Sequence, residues 1–433
     1  MGLLETALLL LGLLVLMLGA GLWVALALTG AGWVAMSLVH PQPGLFLATA
    51  FWESSASWTL AALPMFIWMG EILFRTRLSN ELFGGIAPWV RRLPGRLLHV
   101  NIFACGLFGC VSGSSAATCA TVSKIALPEL QKRGYDQRVA IGSLATAGTL
   151  GLLFPPSIIM VVYAVAAEVS IVRIFIAGFL PGFLVVALFS LYIMIWAKLT
   201  PGRQPPADPR MGFLAKLRES AQLIPCVLLI LAVIGSMLFG IATATEAAAC
   251  GVLGSLVLAA ATGGLSWRSF IESLAGATRL SCMIMFIIAG AAFLTKAMAL
   301  TGIPAALAEA VSAAGLGPYA IIAILALVYI LLGTSLDGVS MIVLTTSVVV
   351  PMVQQAGFDL VWFGIFIILL VEIGQVTPPV GFNLFVMQSM TGREQTEIAL
   401  AALPFFLMLL VAVVLITLFP AIVTFLPDLV LGR

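Results

Sequence analysis

The sequence predicts an all-α polytopic membrane protein, built as an inverted-topology repeat with two re-entrant helical hairpins and two interrupted helices. Three observations predict it. Of 433 residues, 62% are hydrophobic and only 9% are charged, against about 25% charged in an average soluble domain. The second part of the chain repeats the punctuation of the first at a fixed offset. Lys and Arg crowd around one copy and avoid the other.

Composition comes first because it bounds the rest. A soluble protein this apolar would expose large patches and aggregate. Lipid as solvent removes that problem, so one membrane body of about ten helices is the expected plan. The net charge is +2, and no basic run points to nucleic acid. Met1–Val39 is apolar but lacks a basic leader and a small-residue cleavage site, so it reads as one or two helices and not as a removed signal peptide. The six cysteines lie in apolar segments without a CxxC pair and read as packing residues. His40 and His99 are isolated, so no transition-metal site is expected.

Spanning a hydrocarbon core of about 30 Å takes roughly 20 apolar residues as helix. In chain order the candidate spans are Leu3–Val39, Ser57–Phe74, Leu97–Leu130, Val139–Ala167, Ile171–Trp196, Leu223–Ile241, Ala247–Ala261, Arg279–Ala299, Tyr319–Val350, Leu360–Met390 and Ile398–Leu426. Polar or proline cuts interrupt Leu97–Leu130, Val139–Ala167, Tyr319–Val350 and Leu360–Met390. Ser79–Val90 and Pro304–Ala314 have the pattern of interfacial amphipathic helices. The loop Thr200–Gly212, rich in Pro, Arg and Asp, is the natural break. The organisation expected is N-terminal scaffold helices over 1–56, a first repeat over 57–199 with its hairpin at 97–131, a linker with scaffold helices over 200–278, and a second repeat over 279–433 with its hairpin at 318–350.

A shift of 223 residues aligns the punctuation without a gap. Pro128 falls on Pro351, Gly134 on Gly357, Asp136 on Asp359, Gly151 on Gly374, Pro155–Pro156 on Pro378–Pro379, Pro181 on Pro404 and Ser112 on Ser335. Upstream, a shift of 220 places Met65–Phe66–Ile67 on Met285–Phe286–Ile287 and Gly70 on Gly290. Helix-breaking prolines are too few for this register to arise by chance. Charge then orients the copies, because cytoplasmic loops carry the excess of Lys and Arg. The first copy is basic around its cut segment, with Arg91, Arg92, Arg96, Lys132, Arg133 and Arg138. The second has no Lys or Arg between Lys296 and Arg393. The first hairpin is therefore expected to enter from the cytoplasm and the second from the opposite face, the common plan of secondary transporters.

The cuts carry the chemistry. The first tip reads GCVSGSSAAT at Gly109–Thr118 and its partner helix TAGTLGLLFPPS at Thr146–Ser157. The second tip reads GTSLDGVS at Gly333–Ser340 and its partner EIGQVTPPVGFN at Glu372–Asn383. Bare backbone in lipid costs several kcal/mol per group, so unwound segments survive only inside protein or facing a watery cavity. Proline removes amide donors and frees carbonyls upstream. Uncharged carbonyl and hydroxyl oxygens suit a hard monovalent cation such as sodium. The exposed starts of half helices suit an anion. A lone proline would read as a kink; two double-proline cuts in register, each with a Gly/Ser tip upstream, read as function. Asp337 at the second tip is either a site group or the cap of the next helix. Glu372, Glu168 and Glu246 have weaker claims, with Arg173 the surface partner of Glu168. An intramembrane enzyme would need a paired nucleophile and base or metal ligands at membrane depth; Ser114 has no His or Lys nearby in sequence, and no HExxH occurs.

Taken together, the first tip and cut, IALPELQKRGY at Ile125–Tyr135, TEAAA at Thr245–Ala249 and VTPPVGFNLFV at Val376–Val386 resemble the large membrane subunit, DctM type, of tripartite ATP-independent periplasmic (TRAP) transporters over nearly the whole chain. One departure is Ala244, where the family commonly has proline, which softens one helix start. The resemblance implies an elevator-type fold of the ion-transporter superfamily in a bacterial inner membrane. It implies sodium-coupled import of an organic anion, a carboxylate or sulfonate, with no cofactor beyond the coupling ions. The implied partners are a small four-helix membrane subunit of DctQ type, expected as a separate chain because the first span begins at Leu3, and a periplasmic solute-binding protein of DctP type. It places one sodium site at Ser112, Gly113, Ser114, Ser115, Gly148, Leu150 and Pro155. A second falls at Gly333, Ser335, Asp337, Gly338, Thr377, Pro378 and Val380. Ser114, Ser157, Ser340 and Asn383 are implied to meet the solute. The alternative is a stand-alone sodium- or proton-coupled dicarboxylate or citrate carrier of the same superfamily.

Overall fold

The computed structural model describes residues 2–76, 78–203, 205, 211–306, 309, 315 and 317–432. Arg210 of the basic loop and most of the expected helix Pro304–Ala314 lie outside them. Among the described residues there are 20 α-helices and no strand. Of the described helices, four are long and apolar enough to cross a membrane, or up to six when two bent pairs count as spans; seven shorter apolar helices accompany them among the described residues.

The N-terminal stretch is two helices, α1 (Leu3–Gly19) and α2 (Val24–Val39), parted where Gly21 turns to φ +79°. Helix α3 (Pro43–Ser55) was not expected; proline in its first turn starts it, where the missing N–H costs nothing. Then come α4 (Ala62–Phe74) and α5 (Leu78–Val90), the latter at the expected amphipathic segment. Helices α6 (Leu98–Ser112) and α7 (Ser115–Lys132) form the first hairpin, and α8 (Gln137–Ala147), a 3-10 turn over Gly148–Leu152 and α9 (Ile158–Ala166) form the first interrupted helix. Next are α10 (Ile171–Leu199), α11 (Phe213–Ser220), α12 (Ile224–Leu238) and α13 (Ala244–Ala261). The missing proline at Ala244 leaves the start of α13 intact, because Thr243 and Glu246 close a capping box there. Helix α14 (Trp267–Thr301) is 35 residues long and starts earlier than its apolar run, since Ser266 caps it. The second copy follows as α15 (Pro318–Gly333), α16 (Gly338–Gln355), α17 (Leu360–Gln375) and α18 (Phe382–Thr391), then α19 (Gln395–Leu418) and α20 (Ala421–Leu431).

Two packed groups position the site. Helix α14 lies along α2, α3 and α4, and α13 packs on α4. The repeat mates α4 and α14 are pinned by Arg75–Glu272 at 2.9 Å and by Trp68 Nε1–H donating to Ser273 at 3.3 Å. The second group interleaves the copies: α8 packs on α19, α18 on α7, and α16 on α9. Its ends are opposed. Arg138 at the start of α8 shares a cleft with Arg393 and Glu397. The base of the second hairpin, Gln354–Asp359, shares another with Val169–Arg173 beyond α9, where Tyr163 donates to the Leu360 carbonyl at 2.6 Å.

Candidate functional site

Each tip is a helix end facing a helix start. At the first, Gly113 closes α6 in the left-handed region at φ +58°, its N–H on the Gly109 carbonyl at 2.9 Å. Ser114 caps α7 by accepting from the Ala117 N–H. The Ser112 hydroxyl lies 2.6 Å from that of Thr118 and donates to the Ser114 carbonyl at 3.3 Å. At the second tip, Asp337 caps α16, accepting from the Val339 and Ser340 amides at 3.1 and 3.2 Å and from the Ser340 hydroxyl. Ser114 and Asp337 are repeat mates at the 223-residue offset, so the same capping position recurs. Of the two roles open to Asp337, the cap is the one its hydrogen bonds serve.

Behind each tip two glycines cross. A Cβ on Gly109 would lie 2.3 Å from the Gly151 Cα, and one on Gly374 2.7 Å from the Gly333 Cα. No side chain fits either crossing, which lets the hairpin backbone touch the cut. The Pro155–Pro156 and Pro378–Pro379 bonds are both cis. Ser115, Gly148 and Asn383 come together: Ser115 donates to Asn383 Oδ1 at 2.9 Å, Asn383 Nδ2 donates to the Ala145 carbonyl at 2.8 Å, and a Cβ on Gly148 would meet Asn383. Leu150 accepts the Leu153 and Phe154 amides. In the second cut, Ser335 lies 3.3 Å from the Thr334 hydroxyl, Thr377 donates to the Ile373 carbonyl at 2.6 Å, and Gln395 Nε2 donates to the carbonyls of Pro379 and Val380 at 2.8 and 2.6 Å.

The two tips face one cavity of about 180 Å³, the liquid volume of about six waters. Its wall contains Ser115, Ile158, Gly338 and Phe382, the first residues of α7, α9, α16 and α18. Four helix starts thus converge on one space. The starts of α9 and α18 have no side-chain cap and keep unpaired N–H groups and a partial positive charge of about half a unit, whereas Ser114 and the carboxylate of Asp337 cap those of α7 and α16. Gly113, Ser114 and Asp337 also line it. Ser157, Ser340 and Asn383 are buried behind the walls.

Sequence reasoning missed Gln375, Leu280 and Ile284, which line the cavity, and Gln395. Gln375 was legible as a polar residue one turn before the second proline pair. The others gave no signal. Of the weaker acids, Glu372 is wholly buried in α17 and Glu246 caps α13. Arg173 pairs with Asp428 at 2.6 Å and not with Glu168, because α20 returns past the start of α10.

Residues 10–422 match the family described as tripartite ATP-independent periplasmic transporter, DctM component. The chain is 33% identical over 405 residues to the C4-dicarboxylate TRAP transporter large permease protein DctM of Pseudomonas aeruginosa, covering 93% of this chain and 94% of that one. It is 32% identical over 381 residues to the ectoine/5-hydroxyectoine TRAP transporter large permease protein UehC of Ruegeria pomeroyi, covering 87% of each. It is 28% identical over 418 residues to the isethionate TRAP transporter permease protein DctMQ of Oleidesulfovibrio alaskensis, covering 96% of this chain and 65% of that one. The crystal structure of the Alcanivorax borkumensis YdaH transporter superposes with a TM-score of 0.67 at 14% identity, over 92% of this chain and 97% of that one, a likeness of fold.

Proposed function

This chain belongs to the DctM component family of TRAP transporters, the large permease subunits, and from that premise we propose that it imports a small organic anion by sodium coupling. The supporting observation is the convergence of four helix starts on the cavity between the tips. The uncapped starts of α9 and α18 offer partial positive charge and free N–H groups to a carboxylate or sulfonate without a buried cation. Relatives are named for C4-dicarboxylates, ectoines and isethionate, small solutes that each carry a carboxylate or sulfonate, and the solute proposed here is of that kind.

The proposed sodium sites flank the cavity: Ser112, Gly113, Ser114, Ser115, Gly148, Leu150 and Pro155 on one side, and Gly333, Ser335, Asp337, Gly338, Thr377, Pro378 and Val380 on the other. The glycine crossings support them by keeping backbone oxygens of tip and cut close. Ser157, Ser340 and Asn383 shape the solute site from behind its walls. The Lys/Arg asymmetry, together with the opposed hairpin bases, supports re-entry of the first hairpin from the cytoplasm and of the second from the periplasm of a bacterial inner membrane. The group holding both hairpins would then move along the α14 face as an elevator. A periplasmic binding protein delivers the solute, and a small subunit of DctQ type completes the membrane complex.

The test is reconstitution with both partners in proteoliposomes under an imposed sodium gradient, with labelled succinate, ectoine and isethionate as probes. Sodium-driven uptake that vanishes when either partner is omitted is the expected result. Uptake by this chain alone would move the reading to a stand-alone carrier, and sodium-independent uptake would remove the ion sites.

A further inference from the structure

A second cavity, of about 540 Å³, opens between α3 and α14 on one side and α9 and α16 on the other. Three helices line both cavities in sequence. Ile284 of α14, Ile159 of α9 and Val339 of α16 wall the smaller one; Ile288, Ala164 and Val343, four or five residues along the same helices, wall the larger. Four residues are about one helical turn, so the two spaces follow one another along a single interface. The larger lies on the side of Glu168 and the α9 end, away from the basic rim of Arg138 and Arg393.

Among the described residues its walls carry one cation, Lys296, whose ammonium is hydrogen-bonded to Glu53. We propose that this cavity is the vestibule through which the solute reaches the site, and that Lys296 is its capture point, positioned by Glu53. The proposal rests on import of an anion from that side. The Lys296 and Glu53 side chains are 38% and 64% exposed. A solvated ion pair holds its partners weakly, so an arriving carboxylate or sulfonate displaces Glu53 at little cost. A lysine ammonium has three donors on a flexible stem, so it can also hold both groups during the exchange. The next Lys or Arg along the chain is Arg393, at the opposite end. Lys296 is placed to offset Glu53 and Glu168 in the vestibule. Glu168 lines the facing wall at φ +54°, a helix-end position usually given to glycine. Its carboxylate keeps the capture weak enough for the solute to move on.

Charge-selective labelling tests this without identifying the solute. The exposed Cys250 and Cys282 are first replaced by alanine, and Ser57→Cys places a thiol in the vestibule wall. The full complex in membranes is then treated with anionic sulfonatoethyl and cationic trimethylammonioethyl methanethiosulfonate. The expected result is that Lys296→Gln lowers the anion-to-cation rate ratio about tenfold, Lys296→Arg restores it, and Glu53→Gln and Glu168→Gln raise it. A ratio that Lys296→Gln leaves unchanged, or a thiol inert to both reagents, overturns the proposal. Labelling needs no transport, so a failure of sodium coupling or of solute choice leaves this result standing on its own.

Discussion

Adding one methyl group at Gly109 tests whether backbone contact between hairpin and cut sets the site. The new Cβ would lie 2.3 Å from the Gly151 Cα and 2.7 Å from its nitrogen. Carbon atoms rest at about 3.5–4.0 Å, so α6 must draw back by more than ~1 Å. The obstacle is main chain, and no rotamer change relieves it. Overpacking of this kind costs about 1–3 kcal/mol, which a folded protein survives. The cost to function is larger, because tip and cut separate at the site, where a misplacement of about 1 Å is worth roughly a hundredfold in rate. Gly106→Ala is the control: it lies on the same helix, and its Cβ would meet only the Phe154 ring at 3.5 and 3.9 Å. Thermal melting in detergent and uptake by the reconstituted complex read the two terms separately. The expected outcome is a folded Gly109→Ala protein with uptake down about a hundredfold and a Gly106→Ala protein within about twofold of the parent. Equal uptake by the two variants would refute the reasoning. Gly374→Ala, whose Cβ would lie 2.7 Å from the Gly333 Cα, is expected to behave as Gly109→Ala does.

Three further outcomes follow from the hydrogen bonds. Asp337→Asn keeps the cap acceptor and should leave melting and the sodium midpoint nearly unchanged, whereas Asp337→Ala should lose about 1 kcal/mol and weaken sodium; an Asn variant without sodium dependence would make the carboxylate a direct ligand. Asn383→Ala strands the Ser115 hydroxyl and the Ala145 carbonyl, both buried, at about 1–3 kcal/mol, and should lower melting and uptake together; a melt identical to the parent would show that water replaces the amide. Gln395→Ala frees the Pro379 and Val380 carbonyls, and hydrogen exchange over 376–382 should quicken while the first cut keeps its protection.

The parts of this fold that were legible in the sequence are those written in backbone chemistry. Glycine and proline recur at the 223-residue offset because each forces a local conformation whatever surrounds it, so the tips and cuts fell where the pattern put them. The partners of those residues were not legible. Gly151 and Gly374 were in register, but that they meet Gly109 and Gly333 is tertiary, and nothing local to α6 or α15 marks it. Leu280 and Ile284 reach the cavity from α14, yet in an apolar helix a residue facing a cavity reads like one facing lipid. Helix α3 carried a usable signal in Pro43 at its first turn, but thirteen residues fall short of a span and were passed over. Arg173 was matched to its sequence neighbour Glu168, whereas chain return brings Asp428.

The repeat also separates what the two copies do. At matched positions the first copy is apolar or weakly polar where the second is polar: Met160 against Asn383, Thr149 against Glu372, Val172 against Gln395, Leu152 against Gln375. The shared features, the capped tips and glycine crossings, are those any unwound cut in lipid requires. The unshared ones are side chains in both copies: Ser115 and Ser157 of the first stand against Gly338 and Val380, while Asn383, Gln395 and Gln375 are particular to the second. Asn383 reaches across to Ser115 and Ala145 of the first copy, Gln395 holds two carbonyls of its own cut, and Gln375 lines the cavity together with its mate Leu152. A symmetric frame therefore builds the cavity, and departures from symmetry, Ser115 in the first copy and Asn383 and Gln375 in the second, give it hydrogen-bonding character. Discrimination among anions of similar size should follow Gln375 more closely than any serine of the first tip, because a buried polar group left unpaired by the wrong solute costs more than a methylene misfit. Gln375→Leu is expected to change the rank order of solutes taken up, whereas Ser114→Ala should lower uptake of all of them alike; a rank order that Gln375→Leu leaves intact would return the choice of solute to the helix starts alone.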